Sequence, residues 1–120
     1  MYVLDKTAWE VLNATADDCE DLEQIYRQVC LEFSSQDRER GGYYYRPVKE
    51  GPLLYEVADR IRSLVENGLL APVMDEKGLP VSDLTDQSYV WRAWFRMTPD
   101  GRSAWESSEH AALAQQEQSR

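Results

Sequence analysis

Apolar residues recur at helical spacing over three stretches of the chain and alternate along a fourth. In the first, Thr7 followed three residues later by Glu10 reads as a capping box, with Ala8, Trp9, Val11, Leu12 and Ala16 forming an apolar side behind it. A second helix is predicted from near Asp18, where Asp18, Glu20 and Asp21 in the first turn would complement the helix dipole. Leu22, Ile25, Tyr26, Val29 and Phe33 continue it as a narrow stripe, the clearest periodicity in the chain. A third helix is predicted over 52–67. Pro52 suits its first turn, Leu53, Leu54, Val57, Ala58, Ile61, Leu64 and Val65 form its apolar side, and Tyr55, Glu56, Asp59, Arg60, Arg62 and Glu66 point elsewhere. Gly68 should stop it in the left-handed conformation, with Leu69 folding back on Leu64 as in a Schellman cap.

The remaining segments read as loop and strand. Residues 34–42 are polar and lose the helical pattern, while Tyr43, Tyr44, Tyr45 and Val48 make a β-prone run, a short edge strand stopped by Pro47 and the turn chemistry of 49–52. Residues 71–74 should form a strand that Pro72 confines to an edge, and 75–88, with Gly78, Pro80 and four acids against Lys77, a long hairpin tip. Residues 89–97 are the expected return strand. Alternation places Tyr89, Trp91, Ala93, Phe95 and Met97 on one face and Val90, Arg92, Trp94 and Arg96 on the other. Thr98 as cap and Pro99 at the first position then begin a last helix carrying Ala104, Trp105, Ala112 and Leu113. The expectation is an α+β fold in one domain over 1–113, with 114–120 a frayed tail.

Composition narrows the class. At 120 residues, with 42% hydrophobic and 29% charged, the chain suits a single autonomously folding domain. Its longest apolar run, 69–74, is far short of the roughly 20 residues a membrane span needs, and the amino terminus carries no signal pattern, so a cytoplasmic protein without membrane contact is expected. Cys19 and Cys30, if both lie on one helix rising ~1.5 Å per residue, are too far apart to bridge and read as buried thiols.

The net charge of -9 is unevenly spread. Residues 1–30 hold seven acids against Lys6 and Arg27, whereas 38–62 hold Arg38, Arg40, Arg46, Lys49, Arg60 and Arg62 against four acids. A polyanion would approach the middle of the chain.

The order helix, helix, short strand, helix, hairpin, helix is a winged helix-turn-helix plan, and residues 55–70 resemble the recognition-helix region of PadR-type and MarR-type bacterial regulators, a leucine-spaced helix ending in Glu-x-Gly-Leu. Residues 94–102, Trp-Phe-Arg-Met-Thr-Pro-Asp-Gly-Arg, are similar to their wing exit, and Tyr43 to Pro47 to their aromatic lead-in. The resemblance covers about 43–105. It implies a small DNA-binding transcription regulator reading duplex DNA with the 52–67 helix in the major groove, and a homodimer through the C-terminal helix. Arg46, Lys49, Arg60, Arg62, Arg92 and Arg96 are then the candidate phosphate contacts and Tyr55 a candidate base contact.

Charge opposes that partner. Glu56 and Asp59 would face the groove, and the wing tip carries Asp75, Glu76, Asp83 and Asp86 against Lys77. The arginines can equally be surface charges paired four residues along the helix, Arg60 with Glu56 and Arg62 with Glu66. The alternative is an acidic winged-helix protein-interaction module, an adaptor or a DNA mimic. Trp94, outside the strand between Arg92 and Arg96, needs either cover or a partner and is the candidate partner-binding residue. No enzyme, cofactor or metal is expected: His110 is the only histidine, Cys19 and Cys30 have only Arg27 as a basic neighbour, and no phosphate-cradling glycine motif occurs.

Overall fold

The structure, a computed structural model, describes residues 2–33, 52–81 and 83–111, without the side chains of 31–33. Helix α1 (Lys6–Ala14) opens on Asp5 rather than on Thr7, because Asp5 Oδ1 accepts the Ala8 N–H at 2.8 Å. A carboxylate there satisfies an orphan donor and faces the positive end of the helix dipole. Glu10, which a Thr7 capping box would turn back to the helix start, is instead buried, 3.9 Å from Lys6 Nζ.

The acidic run after α1 is not helical. Glu20 and Asp21 form strand β1 (Glu20–Asp21), antiparallel to β3 (Trp94–Met97), with Glu20 opposite Phe95 and Asp21 opposite Trp94. Pairing engages their backbone, so α2 (Leu22–Phe33) starts after them and only Glu23 lies in its first turn. Asp21 Oδ1 accepts the Gln24 N–H at 2.9 Å and Gln24 Oε1 accepts the Asp21 N–H at 3.2 Å, a reciprocal cap. Leu22, Ile25 and Val29 of the expected stripe are buried.

Helix α3 (Leu54–Glu66) buries Val57, Ala58, Ile61 and Leu64. Leu53 and Leu54, expected on that side, are 56% and 39% exposed, since they stand at the helix start, ahead of the turn that meets the core. The helix ends as its sequence demands. Gly68 has φ 75°, its N–H donates to Val65 O at 3.1 Å, and the Leu69 N–H donates to Leu64 O at 2.9 Å, the two bonds of a Schellman motif.

Strand β2 (Leu70–Met74) pairs with β3 in the sheet order β1-β3-β2, so Pro72 does sit on an edge strand, beside an irregularity in the register between Pro72 and Met74. The return limb departs from the expected strand over 89–97. Residues Gln87–Trp91 form a 3-10 turn, capped by Asp86 Oδ1 accepting the Ser88 N–H at 3.0 Å, and only β3 is extended. A helical turn ends strict alternation: Val90 is buried and Trp91 is 56% exposed, the reverse of the strand pattern. From Ala93 onward alternation holds, with Ala93, Phe95 and Met97 buried.

Helix α4 (Pro99–Ser107) is joined to the α3 terminus by Thr98. Its Oγ1 accepts the Gly101 N–H at 2.9 Å and donates to Gly68 O at 2.7 Å, while its N–H donates to Leu69 O at 3.1 Å. A Cβ on Gly101 would lie 2.0 Å from Leu69 O, so only glycine allows this approach. Trp105 of α4 packs on Trp9 of α1 with ring centroids 6.4 Å apart, and the Trp9 Nε1–H donates to Trp105 O at 3.0 Å. The result is an α+β fold whose core joins Leu12, Ile25, Ile61, Leu64, Leu70 and Phe95, each fully enclosed and worth roughly 1.5–3 kcal/mol of burial. The loop expected over 34–42, the strand expected at Tyr43 to Val48, the Phe33 side chain, Ala112, Leu113 and the 114–120 tail lie outside the described residues.

Candidate interaction face

Burial of Val57, Ala58, Ile61 and Leu64 turns the opposite side of α3 outward, with Tyr55 63% exposed near its start. Arg60 and Arg62 project there, and both are held by carboxylates. Arg60 Nε and Nη2 reach Asp5 Oδ2 at 2.9 and 2.8 Å, and Nη1 reaches Asp59 Oδ2 at 3.3 Å. Arg62 pairs with Asp59 Oδ1 and lies 3.8 Å from Glu66 Oε1. The Arg62–Glu66 pair matches the helical spacing. The expected Arg60–Glu56 pair does not form; Glu56 Oε2 accepts the Leu53 N–H at 3.3 Å at the helix start.

The Asp5–Arg60 pair shows in both partners. Burial acting alone would raise the Asp5 pKa, but the Arg60 hydrogen bond, the Ala8 N–H and the Arg60 charge hold it below the ordinary carboxylate value. The Asp5 hydrogen bond likewise raises Arg60, and Asp59 raises Arg62. These guanidiniums are therefore fixed charges inside a ribbon of alternating sign.

The hairpin acids are structural as well as charged. Asp75 Oδ1 accepts the N–H groups of Lys77 at 2.8 Å and Leu79 at 3.0 Å, closing a turn around Gly78, whose φ is 79°. Asp83 Oδ1 accepts from Thr85, and Asp86 caps the 3-10 turn. Backbone donation from Leu79 lowers the pKa of Asp75, the Thr85 side chain lowers that of Asp83, and the Ser88 N–H lowers that of Asp86. All three stay ionised at neutral pH. Acids outnumber bases two to one on each element: Asp5, Glu56, Asp59 and Glu66 against Arg60 and Arg62 about α3, and Asp75, Glu76, Asp83 and Asp86 against Lys77 and Arg92 along the hairpin.

Trp91, placed by the 3-10 turn, stands between two depressions. On one side a groove of about 820 Å³ is lined by Tyr55, Glu56, Asp59, Arg60, Arg62 and Trp91, among others. On the other a cleft of about 490 Å³ is walled by Leu22, Tyr26, Leu54, Trp91 and Trp94, with Asp21, Glu23, Glu76 and Arg92 around it. Trp94 is half-buried in this cleft, so its outer-face position is met in part by packing. Arg92 is exposed and donates to Ser88 Oγ at 2.9 Å. Arg96 is exposed on β3 beside Cys19 and Asp18, away from both depressions. Among the described residues neither Arg92 nor Arg96 enters an ion pair. The structure thus gathers Tyr55, Arg60, Arg62 and Trp91 around one groove and Arg92 and Trp94 around the other, and leaves Arg96 apart; Arg46 and Lys49 lie outside the described residues.

Trp91 and Asp5 were not legible as members of this face. Strand alternation turns Trp91 inward, and Asp5 is 55 positions from its arginine. The one local signal was Asp86, whose cap immediately before the turn marks a helical start inside the supposed strand.

Cys30 is buried and Cys19 half-exposed, both as free thiols, and burial followed by the Asp18 charge pushes the Cys19 pKa up. Among the described residues no group of His, Cys, Asp or Glu could hold a metal ion, and no helix is long and apolar enough to cross a membrane. No known protein family, curated protein or solved structure matches the chain.

Proposed function

We propose that the chain is an acidic winged-helix module that docks on a protein partner through α3 and the 3-10 turn. The order helix, strand, helix, helix, hairpin and the sheet order β1-β3-β2 support the winged-helix reading. The observation that carries the partner reading is the commitment of Arg60 and Arg62 to Asp5, Asp59 and Glu66 on a face that keeps a surplus of carboxylates. A duplex would have to exchange those carboxylates for phosphates while facing Asp75, Asp83 and Asp86, whose hydrogen bonds hold them ionised. A protein surface asks for other groups. Tyr55 and Trp91 line the groove with exposed aromatic area, Leu53 and Leu54 stand exposed at the start of α3, and tryptophan and tyrosine are the residue types that anchor protein interfaces.

A second reading, a DNA-binding transcription regulator, keeps the same fold. Arg92 and Arg96, exposed and outside any ion pair among the described residues, favour it, with Tyr55, Arg60 and Arg62 as further contacts. Titration with random duplex fragments at two salt concentrations separates the two. The module reading expects no binding even at low salt, and binding that appears once Glu56→Lys and Asp59→Lys are introduced together. A wild-type complex with a steep salt slope, lost in Arg60→Glu with Arg62→Glu, would establish the DNA reading instead.

A further inference from the structure

We infer that Asn67 and Gly68, at the end of α3, form a site of spontaneous covalent modification, in which Asn67 converts to aspartate and isoaspartate at a rate set by opening of the α3 cap. The reaction needs no partner but water. The Gly68 nitrogen bonds to Asn67 Cγ, the Cγ–Nδ2 bond breaks, and ammonia leaves with the proton that the Gly68 N–H gives up. Water then opens the five-membered imide. Cleavage on the Cγ side restores the backbone with an aspartate, whereas cleavage at the α-carbonyl leaves the chain running through the side chain as isoaspartate. Glycine after the asparagine favours the attack, because no side chain crowds the nucleophilic nitrogen.

Sequence and exposure favour this chemistry, and the folded geometry holds it back. Asn67 and Gly68 are both exposed, and nothing lies within 4 Å of the space where a Gly68 side chain would stand. Ring closure requires the Gly68 nitrogen to swing to the Cβ side of Asn67. At ψ 7° it instead eclipses the Asn67 backbone nitrogen. The leaving amide is anchored as well, since Asn67 Nδ2 donates to Ser63 O at 2.7 Å, and the Gly68 N–H donates to Val65 O at 3.1 Å. Gly68 O is held from across the fold by the Thr98 hydroxyl at 2.7 Å. Both side-chain bonds are exposed, and exposed bonds at a helix end open far more readily than the core. Asn13, the other asparagine of the chain, is the contrast: it lies inside α1, is followed by Ala14, and its Oδ1 accepts the Trp105 Nε1–H at 3.2 Å. Conversion of Asn67 removes the donor to Ser63 O and puts a carboxylate at the negative end of the helix dipole. In the isoaspartate the added backbone methylene also moves Gly68 O off the Thr98 hydroxyl, so modification loosens the junction of α3 with α4.

The test is peptide mass spectrometry of the full chain incubated at neutral pH, folded and in denaturing guanidinium chloride, with the amide-to-acid mass gain assigned to its position. Conversion at Asn67 is expected to outpace Asn13 in denaturant and to run at least about tenfold slower in the folded chain. Thr98→Ala removes the hydroxyl that holds Gly68 O; it should speed conversion about fivefold in the folded chain and leave the rate in denaturant unchanged. Asn67→Asp, which is the aspartate product, should unfold at a lower urea midpoint than the wild type. Conversion at Asn67 no faster than at Asn13 in denaturant would remove the site. Equal rates in folded and denatured wild type, or a folded Thr98→Ala chain that converts no faster, would remove the control by the cap. If Thr98→Ala does not fold, the comparison of folded with denatured wild type decides alone.

Discussion

Two tryptophan sites in this small fold are built in opposite ways. Trp105, where α4 meets α1, has its neighbours supplied by its own chain: its ring stacks on Trp9, its Nε1–H donates to Asn13 Oδ1 at 3.2 Å, and Arg102 covers it. His110 lies beyond, with its ring 6.4 Å from Trp9 and Nε2 3.2 Å from Leu4 O. Trp91, on the 3-10 turn, is 56% exposed and makes no hydrogen bond among the described residues. An indole that finds both a stacking partner and an acceptor inside the chain contributes to folding, whereas one left between two depressions has its binding surface open. The C-terminal helix, where a dimer contact was expected, has its tryptophan engaged within the chain. The α3 side does not.

Substitutions should separate the two regions by stability. The largest effect is expected at the junction beneath the closed region. Gly101→Ala places a methyl on the Leu69 carbonyl, which cannot yield as a side chain would, and should cost about 3 kcal/mol in urea unfolding. Trp105→Ala removes the stack and the acceptor contact and should cost about 2–3 kcal/mol by the same measurement, below the range for fully buried tryptophan because Trp105 is only half-buried. The ion pair linking α1 to α3 is next. Asp5→Asn retains the cap and loses the carboxylate charge that faces Arg60; with both side chains well solvated, the cost at neutral pH should be under about 1 kcal/mol. Because the folded Asp5 pKa is lowered, its contribution is present above the unfolded value of about 3.9 and fades as pH falls through the lower folded value. Wild type and Asp5→Asn should therefore converge in urea midpoint once the pH has fallen below the folded Asp5 value. A gap that persists there would assign the effect to the cap. Trp91→Ala should change stability least, by about 0.5 kcal/mol or less. A loss there as large as at Trp105 would mean that Trp91 belongs to the core and would erase the contrast.

What could be read from the residues follows the range of the interaction. Gly68 and Leu69 ending α3, and Thr98 and Pro99 starting α4, were legible because the donors and acceptors of those caps lie within five residues of each other. The further bond from Thr98 to Gly68 O, 30 positions away, was not. Asp5 displaced Thr7 as the first cap because Glu10 is drawn into the interior, a tertiary demand that local spacing does not carry. Asp18, Glu20 and Asp21 read as a helix start since acids favour one, but β3 engages the backbone of Glu20 and Asp21 first. The candidate face suffered most from this limit. Arg60 finds its carboxylate across the fold rather than one turn away, and a 3-10 turn inside an apparent strand exchanges the positions of Val90 and Trp91. Arg62 with Glu66, a pair within one helix, was readable.

On the module reading, the open region and not the closed one meets a protein. Photo-crosslinking in the protein's own host, with benzoylphenylalanine placed at position 91 and, as a control, at position 106 on α4, tests it most directly. A discrete protein adduct at 91, absent at 106 and free of nucleic acid, is the predicted result. Adducts to DNA at 91, or the same adducts at both positions, would contradict it.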